Sequence, residues 1–504
     1  MVLVIFNSCK KSNDNTTCRA CTDSTNTIPI QDKYKPAFHF SPDNNWINDP
    51  NGLVYANGVY HLFYQYNPYG NVWGHMSWGH STSTDLMHWT KRSVALLEEV
   101  ANNKMIFSGS AVTDRNNSSG FGINNQNSLV AVYTANMPGS QNQNLAYSID
   151  NGETWTKFSG NPVLDINSSE FRDPKVFWYA QQQKWVMVVS KPEKHEAWFY
   201  ESINLKSWNF MSKWGNAGDI KRAWECPDLI EMTVEGTAEK KWVLTNSSGN
   251  PQESFGGMQY FVGDFDGNTF VPVSSYINAS YLDFGKDFYA GVSFNDAPNN
   301  RKIMIGWANN WEYANDIPTG NVWRGIYSIP RELTLRKNGI EYQLYQQPVA
   351  ELNALRQDSL LINQQPVLSV YDISFSGNTY ELQATIEPGS ATGVGIRVLK
   401  SKDEETVIRY DNVNHQLLLD RTKSGNINFN NKFASIERAH VDLQNNMLKV
   451  RILVDKSIIE VFINEGQVTL TDLVFPVKNE GRIQLFSEGG TSMFKDIKIW
   501  KIKP

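Results

Sequence analysis

The chain from residue 33 to residue 345 shows short apolar or alternating runs with almost no helical period. Gly, Asn, Asp and Pro interrupt these runs every few residues. Such a pattern is typical of many short β-strands joined by tight turns. The sequence therefore predicts an all-β domain over residues 33–345.

A weak internal repeat divides this region. Three segments place a Trp shortly after a polar turn, at the start of the next strand: Ser83–Trp89, Ser148–Trp155 and Ser202–Trp208. Their first residues are 65 and 54 positions apart, and Gly263–Phe270 is a candidate fourth copy. A unit of this size holds one four-stranded sheet, and such sheets stack radially into a propeller, here with about five blades. Common turn residues could produce the pattern by chance, although the shared Trp argues against it.

The pattern changes near residue 346. Pro348 lies at the start of a segment with Val349, Leu352 and Leu355 at every third position, which predicts a linker helix within residues 346–359. From 360 to 504 the predicted strands are longer and have one apolar face, as in Met447–Val454. The fold class that we predict is all-β, with a five-bladed β-propeller followed by a C-terminal β-sandwich.

Composition argues against a nucleic-acid partner. The chain has 46 Lys and Arg against 52 Asp and Glu, a formal net charge of -6, and no basic block that could follow a phosphate backbone. Aromatic residues make up 12% of the chain, and their rings suit sugar stacking as well as a β-sheet core. The eight His are scattered without metal-ligand spacing, so neither a metal nor another cofactor is expected. We expect a monomer.

The N-terminus resembles the end of a lipoprotein signal. A short apolar run, Val2–Phe6, is followed by small residues and Cys9, and then by polar chain up to residue 32. The run lacks a basic start, so the true start is expected upstream of Met1. In this interpretation Cys9 carries the lipid anchor, residues 10–32 form a tether, and the protein is exported to the outer membrane, on either face. The alternative is an unprocessed N-terminus. Cys18 and Cys21 have the spacing of a redox or metal pair, but no second pair accompanies them.

Three acidic residues share one local pattern, in which a Pro and then a strand follow the acid. They are Asp49 before Pro50, Asp173 before Pro174 and Glu225 before Cys226-Pro227. Each alone is explained by an ordinary turn, but equivalent turns of different blades converge on the central channel of a propeller. Two carboxylates that flank a glycosidic bond are the minimum for glycoside hydrolysis.

Two expectations concern the neighbours of these acids. Apolar residues around Trp224 should bury Glu225 and raise its pKa. Arg172 should face away from Asp173, because successive side chains of a strand alternate, although it could still donate to a hydroxylated ligand.

These motifs are similar to those of glycoside hydrolase family 32, the invertases, inulinases and levanases. The resemblance covers the chain from about residue 38 to the end, and the following segments carry it: Trp46–Gly52, Trp73–His80, Phe107–Ser110, Arg172–Pro174, Glu225–Pro227, Ile305–Trp311 and Ser457–Ile463. One departure is Ile47, where Met is common. The resemblance implies a propeller with a sandwich and a retaining β-fructosidase that hydrolyses fructans such as levan or inulin, or sucrose.

The resemblance also implies residue roles. Asp49 would be the nucleophile, Glu225 the general acid and base, and Asp173 the carboxylate that stabilises the transition state. The fructose-binding positions would be Asn48, Gln65, Trp73, Phe107, Ser108, Arg172 and Trp311. The three aromatic residues could instead be blade core, and Gln65 and Ser108 ordinary strand polar groups. Cys226 could tune the neighbouring acid or simply fill a small space.

Exo action is our first expectation, because the blade loops are short and contain no long insertion. The close alternative is an endo-acting levanase at the cell surface. Transfer to sucrose, cleavage of arabinan, and a fructan-binding lipoprotein without catalysis are further alternatives. The presence of all three acids argues against the last.

Overall fold

The computed structural model describes residues 33–124, 126–249, 256–273 and 280–504. Cys9, the predicted tether, Cys18 and Cys21 lie outside the described residues. Within the described part, none of the helices is long and apolar enough to cross a bilayer. The helices are short 3-10 turns at Val100–Asn102, Ala180–Gln182, Pro192–Lys194, Pro298–Asn300 and Ala350–Leu355.

Five sheets form the blades of a propeller, with strands numbered in chain order and running outward from the centre. The first blade contains β1 Asn45–Ala56, β2 Val59–Asn67, β3 Ser77–Ser83 and β4 Thr90–Lys91. The second contains β5 Met105–Asp114, β6 Ser128–Met137, β7 Ser140–Ser148 and β8 Thr156–Lys157, with β9 Leu164–Ser168 beside β7. The third contains β10 Arg172–Tyr179, β11 Lys184–Lys191, β12 Glu196–Ser202 and β13 Asn209–Gly215.

The fourth and fifth blades complete the circle. The fourth contains β14 Glu225–Thr233, β15 Lys240–Ser248, β16 Gly257–Phe265 and β17 Phe270–Pro272, with β18 Ser280–Tyr281 beside β16. The next pair of strands is β19 Tyr289–Ser293 and β20 Ile303–Trp307, and β21 Trp323–Arg324 lies parallel to β1 in the first blade. The fifth blade comprises β19, β20, β22 Arg331–Asn338 and β23 Glu341–Pro348. The innermost strands contact one another in the cyclic order β1, β5, β10, β14, β19 and back to β1, which confirms the five-bladed propeller.

Every innermost strand contains an irregularity near its start. The register with the second strand breaks in β1 between Ile47 and Pro50, and in the other four between Ile106 and Gly109, Arg172 and Lys175, Glu225 and Asp228, and Tyr289 and Val292. Bulges bend a strand and re-aim its side chains. The five bulges therefore turn residues from all five blades toward one end of the central channel.

Two six-stranded sheets form the C-terminal β-sandwich, as predicted. The first sheet has the order β24-β35-β26-β31-β32-β33 and the second β25-β34-β27-β28-β29-β30. Their bounds are β24 Arg356–Val367, β25 Val370–Ser376, β26 Thr379–Glu387, β27 Gly393–Lys400, β28 Glu405–Asp411, β29 Gln416–Lys423, β30 Ile436–His440, β31 Leu448–Asp455, β32 Ile458–Ile463, β33 Val468–Leu473, β34 Arg482–Glu488 and β35 Ser492–Ile502. Buried aliphatic side chains from both sheets fill the space between them.

The connection between the domains is shorter than the predicted linker at 346–359. Strand β23 continues to Pro348, the 3-10 helix covers only Ala350–Leu355, and β24 already begins at Arg356. The three-residue apolar period matches a 3-10 turn, with Leu352 and Leu355 buried. Because β24 is an edge strand with many exposed positions, its apolar alternation is weak and its start is not visible in the sequence.

Buried charged groups connect the propeller to the sandwich. Arg331 of β22 donates to Asp283 Oδ2 at 2.9 Å and to Glu460 Oε1 of β32 at 3.1 Å. His39 lies 2.9 Å from Asp455 Oδ2, and this contact together with Glu460 raises the pKa of His39 to about 9 in spite of its burial. The two domains are thus held together by paired charges shielded from solvent.

Candidate active site

Asp49 lies within the bulge of β1 and is held by side chains from the first and second blades. Its Oδ1 accepts a hydrogen bond from Asn48 Nδ2 at 3.0 Å, and its Oδ2 accepts one from Ser108 Oγ at 2.7 Å. Trp46 Nε1 donates to Asn48 Oδ1 at 2.8 Å and so fixes the amide. Burial raises the pKa of Asp49, and the hydrogen bonds from Ser108 and Asn48 oppose that rise. Asp49 as a whole residue is partly exposed.

Asp173 is the most buried of the three acids, with 6% of its surface exposed. It lies in the bulge of β10 with φ at +65°, and its Oδ2 accepts a hydrogen bond from the Cys226 backbone N at 3.1 Å. Burial raises the pKa of Asp173 to about 7; Arg172 opposes the rise, and the charges of Glu225 and Asp49 add to it. Asp49 and Glu225 therefore lie close enough to Asp173 for their charges to disfavour its ionisation.

Glu225 is held by two polar side chains. Its Oε1 accepts a hydrogen bond from Arg172 Nε at 2.9 Å, and its Oε2 accepts one from the Tyr289 hydroxyl at 2.5 Å. The expectation that Arg172 faces away from Asp173 is wrong, because Arg172 bonds to Glu225 while Asp173 bonds to the adjacent Cys226. The bulge between Arg172 and Lys175 interrupts the alternation of β10.

Trp224 and its apolar neighbours were expected to bury Glu225, but Trp224 packs elsewhere. It packs in a separate aromatic cluster with Trp214 and Phe261, and its Nε1 donates to the Asp219 carbonyl at 2.7 Å. The hydrogen-bonded neighbours of Glu225 are the polar residues Arg172 and Tyr289.

Cys226 lies between the nucleophile candidate and the third acid. Its Sγ is 3.6 Å from Asp49 Oδ2 and 3.7 Å from Asp173 Oδ2. Burial and the neighbouring acids raise the pKa of the thiol well above its ordinary value. The thiol therefore stays protonated and can donate weakly to either carboxylate.

Six of the seven predicted sugar-binding residues fall into two groups. Asn48, Ser108 and Arg172 bond directly to the acids, as described above. Trp311 stacks on Trp46 with ring centroids 6.2 Å apart, while Trp73, 41% exposed, lies edge-on to Phe107 at 6.3 Å. Both contacts lie next to groups that hold Asp49, because Trp46 bonds to Asn48 and Phe107 precedes Ser108.

Gln65 lies one strand outward from the acids. It is buried on β2, and its Nε2 has no hydrogen-bond partner among the residues that the structure describes. A spare buried donor beside the pocket is consistent with a ligand contact, but the structure shows no direct link between Gln65 and the acids.

Sequence reasoning missed Tyr289, Gln141 and Glu170. Tyr289 is the last paired residue before the bulge of β19, as Glu225 is before the bulge of β14, but neither an acid nor a Pro marks it. Gln141 Oε1 accepts from Arg172 Nη1 at 3.2 Å, and Glu170 also pairs with that guanidinium. No local signal marks any of the three.

A cavity of about 510 Å³ lies at the other end of the channel. Thr113, Lys175 and Asn295 line it, and none of the three acids does. Hydrogen bonds and shared neighbours therefore connect the three acids, and this cavity does not contain them.

The model of the glycosyl hydrolases family 32 N-terminal domain matches residues 39–348, and that of the family 32 C-terminal domain matches 351–501. A levanase from Bacillus subtilis is 43% identical, with 95% of this chain and 72% of the relative covered. An extracellular exo-inulinase from Aspergillus awamori is 38% identical, with 93% and 94% covered.

Solved structures agree. The exo-inulinase crystal structure from Aspergillus awamori superposes with a TM-score of 0.87 at 38% identity, covering 93% of this chain and 98% of that one. A β-fructofuranosidase from Schwanniomyces occidentalis complexed with fructosyl-erythritol gives 0.83 at 33%, covering 95% and 99%. On both sequence and structure, the chain belongs to glycoside hydrolase family 32.

Proposed function

We propose that the protein is a retaining β-fructosidase that releases terminal fructosyl units from fructans, and that it also accepts sucrose. The observation that carries this proposal is the convergence of Asp49, Asp173 and Glu225 at one end of the channel, with Cys226 in contact with the first two. The relatives named levanase, exo-inulinase and β-fructofuranosidase support a fructosyl substrate.

In the first step, Asp49 attacks the anomeric carbon of the terminal fructosyl unit. The bond from that carbon to the leaving oxygen breaks, Glu225 gives its proton to this oxygen, and a fructosyl ester forms on Asp49. The hydrogen bonds from Ser108 and Asn48 orient the attacking carboxylate. Asp173 bonds to ring hydroxyls and stabilises the positive charge that develops on the sugar.

In the second step, the roles of the carboxyl groups reverse. Glu225, now ionised, takes a proton from water, and the hydroxyl attacks the anomeric carbon, so that the ester bond to Asp49 breaks. Free fructose leaves with its original configuration. Arg172 and Tyr289 hold the Glu225 carboxyl in position for both proton transfers.

A product time course on levan, inulin and sucrose tests this function. Exo action releases fructose alone from the first minutes, whereas endo action produces a ladder of oligosaccharides. Fructosyl transfer would build oligosaccharides at high sucrose concentration, and activity on arabinan would indicate another linkage specificity.

A substitution of Glu225 tests its catalytic role separately from substrate binding. Glu225→Ala should lower kcat by about 10²- to 10⁴-fold, because the leaving oxygen loses its proton donor. It should still bind fructan, and unchanged hydrolysis would remove Glu225 from the mechanism. A wild-type protein that binds fructan without cleaving it would support the non-catalytic alternative.

We further propose that Cys9 carries a lipid and anchors the enzyme in the outer membrane. The apolar run before Cys9 and the polar segment 10–32 support this proposal. Labelling of cells with a radioactive fatty acid should mark the wild-type protein and not Cys9→Ser. Equal labelling of both would contradict the anchor, and protease treatment of intact cells would tell which membrane face carries the enzyme.

A further inference from the structure

The loop between β2 and β3, residues 68–76, exposes apolar side chains beside the pocket. Tyr69 is 65% exposed and Trp73 41%, and Val72 is also exposed. The loop lies at the end of the first blade where β1 begins, because β1 pairs antiparallel with β2 and Trp46 is opposite Asn67. It therefore belongs to the face of the propeller that carries the acids.

This loop is held in one conformation by polar contacts to its backbone. Asn67 closes it from within: its Nδ2 donates to the Val72 carbonyl at 2.8 Å, and its Oδ1 accepts from Tyr69 N at 2.9 Å. Trp73 N also donates to Asn315 Oδ1 of the fifth blade at 3.2 Å. The backbone that carries the exposed rings is thus fixed, so little backbone conformational entropy is lost when a ligand binds.

A second set of contacts orients the Tyr69 ring. His75 lies edge-on to it, with centroids 5.3 Å apart and planes at 88°. His75 Nδ1 is 2.6 Å from Glu98 Oε1, and Glu98 N bonds to Ser77 Oγ at 3.0 Å. The His75 side chain is itself 56% exposed, but the Glu98 carboxyl that holds it is largely buried, at 7%. The Tyr69 ring therefore has one edge-on neighbour whose position is fixed, and it remains open to solvent for stacking.

The surface is continuous with the catalytic pocket. Trp73 contacts Phe107, and the next residue, Ser108, bonds to Asp49. Tyr69 is four residues before Trp73, so their Cα atoms are at most about 14 Å apart. A short stretch of sugar chain spans that distance.

We propose that Tyr69, oriented by His75, is a binding subsite for a fructosyl unit that lies further along the chain than the unit next to the scissile bond. This proposal rests on the proposed function. With the terminal unit in the pocket, the remaining chain leaves across the rim at Trp73 and stacks on Tyr69 through its apolar face. The subsite serves oligomers and polymers, whereas sucrose is too short to reach it.

The test compares substrates of different length. Tyr69→Ala should raise KM for inulin or levan by about 2- to 10-fold, because one stacking contact is lost. KM and kcat for sucrose should stay at wild-type values. Tyr69→Trp, which keeps a large ring, should restore the polymer KM. Phe210→Ala is the matched control, since Phe210 is an exposed aromatic residue, 52%, on the outermost strand β13 of the third blade.

Three outcomes would count against the subsite. They are an unchanged polymer KM in Tyr69→Ala, an equal loss on polymer and sucrose, and an equal loss in Phe210→Ala. Wild-type enzyme that cleaves neither fructan nor sucrose would instead contradict the proposed function. Thermal melting of each variant verifies that the exposed substitution leaves the fold intact.

Discussion

At the scale of single residues, the site keeps acidic groups where ionisation is unfavourable. Asp173 is buried beside two other carboxylates, and its pKa is raised to about 7. Since the unfolded pKa of Asp is near 3.9, the folded protein binds this proton more tightly, and ionisation of Asp173 destabilises the fold as pH rises from about 4 to about 7.

Asp173→Asn should therefore be more stable than the wild type at neutral pH. We expect a gain of about 1 to 3 kcal/mol in the free energy of unfolding at pH 7.5 and almost none at pH 4, with loss of activity. Denaturant unfolding of both proteins at the two pH values measures this gain in stability. A constant difference between the proteins would contradict the raised pKa.

Tyr289 should act through Glu225. In Tyr289→Phe the carboxyl loses one of its two fixed partners, so we expect kcat on sucrose to fall by about 10-fold with little change in KM. Tyr313→Phe, which removes a buried hydroxyl near the domain interface, is the control. An effect confined to KM would assign Tyr289 to substrate binding instead.

At the scale of elements, the bulges explain what the sequence could and could not predict. Asp49 and Asp173 were recognisable because each precedes a Pro that cannot continue regular pairing. Tyr289 also lies at the bulge of an innermost strand, but no Pro follows it. The predicted orientation of Arg172 was wrong because the prediction assumed regular alternation of side chains along β10. The bulge that breaks this alternation depends on pairing with β11 and not on local sequence.

Strands β2 and β3 carry a buried pair of histidines. His61 Nδ1 and His80 Nε2 are 3.1 Å apart, and burial together with Arg92 lowers the pKa of His61 to about 4 and that of His80 well below its ordinary value. With an unfolded pKa near 6.5, the unfolded chain binds more protons below that pH. Stability is therefore lost as pH falls from about 6.5 to 4.

The double variant His61→Gln/His80→Gln should lose less stability over this range. Between pH 7 and pH 4 the wild type should lose on the order of 1 to 3 kcal/mol more in the free energy of unfolding than the double variant. Thermal melting at a series of pH values measures this difference. The exposed His440→Gln is the control and should behave as the wild type. If stability changed with pH in the same way in all three proteins, the histidine pair would not take up protons on unfolding.

At the scale of the whole molecule, repeat spacing and strand pattern predicted five blades and a sandwich. They could not predict the charged interface between the domains. Arg331 and Glu460 are 129 positions apart, and no local pattern distinguishes them from exposed strand residues. Their pairing follows only from how the two domains pack.

Arg331→Met should destabilise the protein by about 3 to 5 kcal/mol, because Asp283 and Glu460 then lose their buried partner. Arg336→Met on the same strand removes partly exposed pairs with Glu235 and Glu465 and should cost no more than about 1 kcal/mol. Chemical denaturation compares the two. Similar losses would mean that the buried network contributes no more than surface pairs.

The stereochemical course of the reaction tests the central claim most directly. When sucrose is cleaved in water containing methanol, attack by Asp49 followed by transfer from the ester yields methyl β-fructofuranoside, which NMR spectroscopy identifies in the fresh reaction mixture. The account predicts this β product from the wild type and a large decrease in its rate in Asp49→Asn. Formation of the α anomer would show single displacement by the acceptor and would contradict the role given to Asp49.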